Sequence, residues 1–257
     1  MIVTTAQKLN ERLVTKAIEI SQELEVTYVP RRDRSLQRMY EEENTNEVLV
    51  VLQKQLKWYV NGIEDPFFFH PGLSVVRIKR LLRGDNDIMV QACQLQPGDS
   101  FLDCTLGLAA DAIVASFVVG DEGRVLGVES QNVVAFLVQQ GLKEVQLFPE
   151  IDQASRRIKV ISEHHLSFLH SMPDKSMDIV YFDPMFRRGI EESSSVGQLR
   201  LFANLDPLSE TVMEQAKRIA RKRIVLKERK DSGEFERLGF SIVSRENMGV
   251  AYGVLEV

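Results

Sequence analysis

The chain of 257 residues is long for one domain and short for two full ones, which favours a main domain carrying an added module. Apolar residues make up 44% and charged residues 27%, an ordinary soluble composition that excludes the disordered, collagenous and low-complexity classes. The formal charge of -5, from 32 Lys and Arg against 37 Asp and Glu, argues against a protein that coats nucleic acid by bulk charge.

No apolar run approaches the ~18 residues of a membrane span. Lys8, Glu11 and Arg12 stand where a signal peptide would place its apolar stretch, so a cytoplasmic protein is expected. Cys93 and Cys104 are the only cysteines, giving no disulfide framework and no four-cysteine zinc site. Both read as small buried apolar residues, and no metal is expected.

In chain order, Ala6 to Leu24 has helical spacing, with Thr5 as its expected cap. Thr27 to Val29 reads as a strand ending at Pro30, and Ser35 to Glu43 as a short helix. Val48 to Leu52 and Leu56 to Val60 read as strands, followed by an Asn61-Gly62 turn. Residues 1–68 are therefore expected to form a small N-terminal α/β module, and 69–257 the main domain. Phe67, Phe68 and Phe69 read as core packing between the two. Helices are expected from about Ser74 to Arg83 and from Asp85 to Leu95.

From residue 99 strands and helices alternate. Strands are expected at 101–105, 124–129, 158–162, 177–183 and 223–227, and helices to Val119, from Asn132 to Leu142 and from Pro207 to Ala220. Segments 240–243 and 252–257 suit a terminal hairpin. This pattern predicts a doubly wound, mostly parallel sheet.

Ligands of such sheets sit at the carboxyl ends of the strands. The first of these ends reads Asp103-Cys104-Thr105-Leu106-Gly107-Leu108-Ala109-Ala110-Asp111, with Gly107 allowing close backbone approach. The second ends in Glu129, whose carboxylate suits ribose hydroxyls. Later glycines of a dinucleotide fingerprint are missing, and Asp111 at the helix start would repel a pyrophosphate. S-adenosylmethionine, with a ribose and a sulfonium but no phosphate, fits these residues. The fourth end reads Asp183-Pro184-Met185-Phe186. An Asp, a stiffening Pro and an aromatic suit a planar amine, held by acceptors and stacked on a ring.

Basic residues gather in runs: Arg31, Arg32 and Arg34; Arg77, Lys79, Arg80 and Arg83 after His70; Arg187 and Arg188; and eight between Lys217 and Lys230. Phosphate positioning needs such patches rather than global charge. His70, Arg77, Arg187 and Arg188 are the candidate substrate contacts. Trp58 and Tyr59 read as core packing ahead of base stacking.

The runs 102–112, Val128-Glu129-Ser130 and 178–186 resemble the class I S-adenosylmethionine-dependent methyltransferases. More narrowly, they are similar to the ribosomal small-subunit methyltransferase J family, which methylates a guanine exocyclic amine of 16S ribosomal RNA. The resemblance covers roughly residues 70 to 230. It implies a seven-stranded Rossmann-like methyltransferase sheet, S-adenosylmethionine as cofactor and RNA as partner. It places Asp103, Thr105, Gly107, Ala110 and Asp111 at the cofactor, the last two against its methionine end. Glu129 and Ser130 would hold the ribose, and His164 and His165 would lie near the adenine. Asp183, with Pro184 and Phe186, would carry the chemistry, Asp183 bridging cofactor and amine. The chain departs from the family where Ala109-Ala110-Asp111 replaces Gly-Arg-Asp, and where His164-His165 replaces small hydroxyl residues. A small-molecule or protein-amide methyltransferase, or a non-catalytic nucleotide-binding protein, is the alternative.

Overall fold

The computed structural model describes residues 1–7, 10–184, 207–243 and 249–257. These fall into two compact units, Met1–Phe69 and the residues from His70 onward.

The N-terminal unit holds β1 (Ile2–Thr5), α1 (Glu11–Glu23), β2 (Thr27–Tyr28), α2 (Leu36–Glu42), β3 (Glu47–Val51) and β4 (Leu56–Val60). Its sheet order is β2-β1-β3-β4, with β1 parallel to both neighbours and β4 antiparallel to β3. The start of α1 corrects the sequence reading. Four β-branched residues, Ile2 to Thr5, form the buried inner strand, and Asn10 rather than Thr5 caps the helix, accepting from the Arg12 N–H at 2.9 Å. Ser35 caps α2 as its hydroxyl accepts from the Arg38 N–H. Right-handed crossovers running first outward to β2 and then back to β3 put α1 and α2 on opposite faces. Met39 of α2 packs with Ile2, Val48 and Val50. Trp58 and Phe67 meet edge-to-face at 6.4 Å, inside this unit's core.

The second unit begins with α3 (Leu73–Leu82) and α4 (Ile88–Cys93). Then come β5 (Ser100–Asp103), α5 (Ala110–Val119), β6 (Arg124–Glu129), α6 (Asn132–Glu144), α7 (Pro149–Arg157), β7 (Ile158–Ser162), α8 (His165–Ser171) and β8 (Met177–Phe182). The chain ends with α9 (Glu210–Ile219), β9 (Ala220–Arg229), α10 (Glu234–Leu238), β10 (Ser241–Val243) and β11 (Val250–Glu256). The seven strands order as β10-β11-β9-β8-β5-β6-β7. Six run in one direction, and β11 is antiparallel to both its neighbours. This is the expected doubly wound sheet, closed by the expected terminal hairpin.

Inner strands are apolar on both faces because helices cover both, so β8 is buried along its whole length. Leu102, Val180 and Ile224 lie in one core with Met213 and Ala216 of α9. The short helices α7, α8 and α10 escape the sequence reading, since each buries only one to three residues. Both cysteines are buried, as expected. From β5 the chain winds outward to β6 and β7, then returns to β8 on the other side of β5. The switch point therefore lies at the carboxyl ends of β5 and β8.

Candidate active site

Asp103 ends β5, and Asp183 follows β8 by one residue. Thr105 ties the two ends together. Its hydroxyl accepts from the Asp183 N–H at 2.6 Å and lies 3.4 Å from Asp103 Oδ1, which also accepts from the Thr105 N–H at 3.0 Å. Burial pushes the Asp103 carboxyl up to about 8, with the nearby Asp111 and Asp183 charges adding to the rise.

The loop from β5 to α5 turns through positive φ at Gly107 (49°) and Ala109 (62°). Its close passage over β6 explains Gly127, where a Cβ would stand 2.3 Å from Leu106 Cδ1. Glu129 secures the loop from below: Oε2 accepts from the Gly107 N–H at 3.1 Å and Oε1 from the Gln131 N–H at 2.9 Å. Burial pushes this carboxyl up, against backbone bonds from Gln131, Gly107 and Ser130. Ser130 itself is exposed and Ala110 is half-buried in the first turn of α5.

Asp111 lies at the centre of a charge network. One oxygen meets Arg77 Nη1, and the other accepts from the Tyr181 hydroxyl at 2.8 Å and from Lys227 Nζ at 3.1 Å. Burial opposes its ionisation, but Lys227 and Arg77 outweigh burial and hold it well below the usual carboxylate range. Lys227 also donates to Asp183 Oδ2 at 2.6 Å. Burial raises the Asp183 carboxyl to about 6, with Lys227 opposing the rise and Asp111 adding to it. Lys227 is the site residue that sequence reasoning missed. A lysine closing the apolar run Ile224-Val225-Leu226 of an inner strand was the available signal.

Arg77 is corrected. Expected to face substrate, it instead forks onto Asp87 at 2.7 and 2.9 Å and pairs with Asp111, so three of its five N–H donors are engaged within the protein. His70 is half-buried, and burial lowers its pKa. His164 caps α8, its Nδ1 accepting from the Leu166 N–H at 3.3 Å. His165 stacks on it at 4.4 Å and meets Phe182 edge-on, with burial pulling its pKa down to about 4. Pro184 is half-buried, while Phe186, Arg187 and Arg188 lie outside the described residues.

The basic run 217–230 is also corrected, because most of it is internally paired. Arg218 meets Asp174, Arg221 meets Asp178, Lys222 meets Asp99 and Asp178, Arg223 meets Glu256, and Arg229 meets Asp231. Among the described residues, no helix is long and apolar enough to cross a membrane.

A family model described as SAM-dependent methyltransferase matches residues 35–241. A Bacillus subtilis (strain 168) protein, the uncharacterised YpiP, is 37% identical, with 99% of each chain aligned. Ribosomal RNA small subunit methyltransferase J of Mannheimia succiniciproducens is 35% identical over 53% of this chain and 54% of its own, so the chain spans about half the length of that relative. A solved SAM-dependent methyltransferase from Neisseria gonorrhoeae shares the fold, with a TM-score of 0.62 and 16% identity over 100% of this chain and 96% of its own.

Proposed function

The chain belongs to the SAM-dependent methyltransferase family, and from that premise we propose that it methylates the exocyclic amine of an RNA base, a guanine of small-subunit ribosomal RNA, in the cytoplasm. S-adenosylmethionine supplies the methyl group, carried on a sulfonium. The residues at the switch point fit such a ligand. Carboxylates at Asp87, Asp111 and Asp183 face the cations Arg77 and Lys227, an acidic surplus that suits a cationic centre. Glu129, an acceptor-only carboxylate beside the Gly107 turn, is assigned to the ribose hydroxyls, with Ser130 at its side. The stacked His164 and His165 are assigned to the adenine.

The observation that carries the reading is the Asp183–Lys227–Asp111 arrangement beside the β5 end. An aryl amine is a poor nucleophile because its lone pair is delocalised into the ring. Lys227 holds Asp183 Oδ2, leaving Oδ1 to accept an amine hydrogen and aim the nitrogen at the methyl group. The Pro184 carbonyl is the second acceptor. No strong base is required, since the nitrogen becomes acidic once it has been methylated. Phe186 is assigned to stacking on the base, Arg187, Arg188 and His70 to the substrate strand, and the N-terminal unit to substrate recognition.

The match to methyltransferase J relatives favours RNA. A second reading, methylation of a small molecule or a protein amide, draws support from the ion pairing of the 217–230 run, which removes a basic surface. Labelled methyl transfer to total RNA and to small ribosomal subunits from cells lacking the protein separates the two readings. RNA labelling by the wild type is expected, with Asp183→Ala losing at least about a thousandfold in turnover while cofactor affinity falls only in part. Tight cofactor binding without RNA labelling would move the assignment to the second reading. Near-wild-type turnover of Asp183→Ala would end the proposed role of that carboxylate.

A further inference from the structure

The N-terminal unit has a switch point of its own. The chain leaves β1 for β2, then crosses back to β3 on the other side, so a crevice is expected at the carboxyl end of β1. Thr4 stands there. Its register with Val50, two residues beyond the Ile2–Val48–Tyr59 row, puts it on the face covered by α2. Its side chain is fully buried, and its hydroxyl has no hydrogen-bond partner among the described residues. A buried hydroxyl left without a partner is costly.

The loop after β2 contributes Arg31, which is only 9% exposed. Its Nε donates to the Arg34 carbonyl at 2.8 Å, and among the described residues no carboxylate pairs with its guanidinium. Arg34, three residues on, is the contrast. Its Nη1 meets Glu43 at 2.7 Å and Glu42 at 3.1 Å, while its Nη2 and Nε donate to the Pro30 and Arg31 carbonyls. Arg34 is therefore neutralised and holds the loop, whereas Arg31 is held in place but not neutralised. The groups acting on Arg31 are Tyr59 of β4, Arg34 and Tyr40 of α2. Burial raises the Tyr40 phenol, which keeps it a neutral donor.

An isolated buried charge is among the most expensive features a protein can carry, and it is tolerated where a counter-charge meets it. Arg31, Thr4, Tyr40 and Tyr59 all offer hydrogens. The missing partner is therefore an anion with more acceptor oxygens than the two of a carboxylate. We propose that this face of the N-terminal unit binds a phosphate group, with the Arg31 guanidinium as its counter-charge and Thr4, Tyr40 and Tyr59 as hydroxyl donors. The phosphate belongs either to an RNA backbone or to a free nucleotide. The site lies within one unit and stands independently of the methyl-transfer reading.

The full chain is titrated with inorganic phosphate against chloride of equal ionic strength, following thermal unfolding. Wild type is expected to gain about 3–6 °C at ten times the dissociation constant. Arg31→Leu should lose that response and, because an uncompensated buried charge is gone, unfold no earlier than wild type without phosphate. The near-isosteric Thr4→Val should keep the fold and weaken phosphate binding by about fivefold, as expected for one lost hydrogen bond. No phosphate-specific shift in wild type, or an undiminished shift in Arg31→Leu, overturns the proposal. Filter binding of small-subunit RNA then identifies the source. Weaker RNA binding by Arg31→Leu assigns the phosphate to RNA, and unchanged RNA binding with a lost phosphate response assigns it to a free nucleotide.

Discussion

Lys227 carries a positive charge into a cluster of buried carboxylates, and its removal tests the proposed chemistry most directly. Burial, helped by the nearby Asp111, drives the Asp183 carboxyl upward, and Lys227 holds it to about 6. Lys227→Met removes that opposing charge, so the Asp183 pKa must rise further. If ionised Asp183 is the amine acceptor, the acidic limb of kcat/KM lies near pH 6 in wild type and moves to higher pH in Lys227→Met. Lys227→Arg keeps the charge and should leave the limb close to its wild-type position. A limb that stays put in Lys227→Met would show that Lys227 acts on packing alone. Asp183 was legible in the sequence because it ends a strand and precedes a proline. Lys227 was hidden in a basic run most of whose other members serve as ordinary ion-pair partners.

The loop between β5 and α5 shows how an element is shaped by a neighbour distant in sequence. Gly107 could be picked out because a sharp turn at a strand end calls for a residue that tolerates positive φ. Gly127 could not, since its need comes from Leu106 lying over β6. Gly127→Ala is expected to cost about 1–3 kcal/mol in denaturant unfolding through overpacking. It should also weaken cofactor binding, because Leu106 must move and Gly107 is tied to Glu129 beside it. Unchanged stability together with unchanged cofactor affinity would contradict this account. The start of α1 went astray for the complementary reason. Residues 2–7 precede a strongly helical stretch, and only pairing with β2 and β3 makes Ile2–Thr5 a central strand.

At the scale of the whole molecule, the charge of -5 conceals an arrangement rather than a deficit. Basic residues that look like a phosphate-binding run in sequence are mostly ion-paired within the second unit. Affinity for naked RNA should therefore be modest and should depend only weakly on salt. The slope of log K against log salt is expected to be smaller than about 3 in magnitude, corresponding to few displaced counterions. A steep slope in a salt titration would show that a basic surface has been overlooked.

The sequence by itself determined the doubly wound sheet, its hairpin end and the acidic residues at its strand ends. Those features follow from local hydrophobic runs, strand–helix alternation and turn chemistry, all written within short windows of chain. Only the tertiary structure decided which charges meet. It turned Arg77 inward onto Asp87 and Asp111, placed Lys227 between Asp111 and Asp183, and left Arg31 buried without an acidic partner among the described residues. The physical reason is that ion pairing and desolvation depend on distance in space. Asp111 and Lys227 stand 116 residues apart in the chain, yet their charged atoms lie 3.1 Å apart.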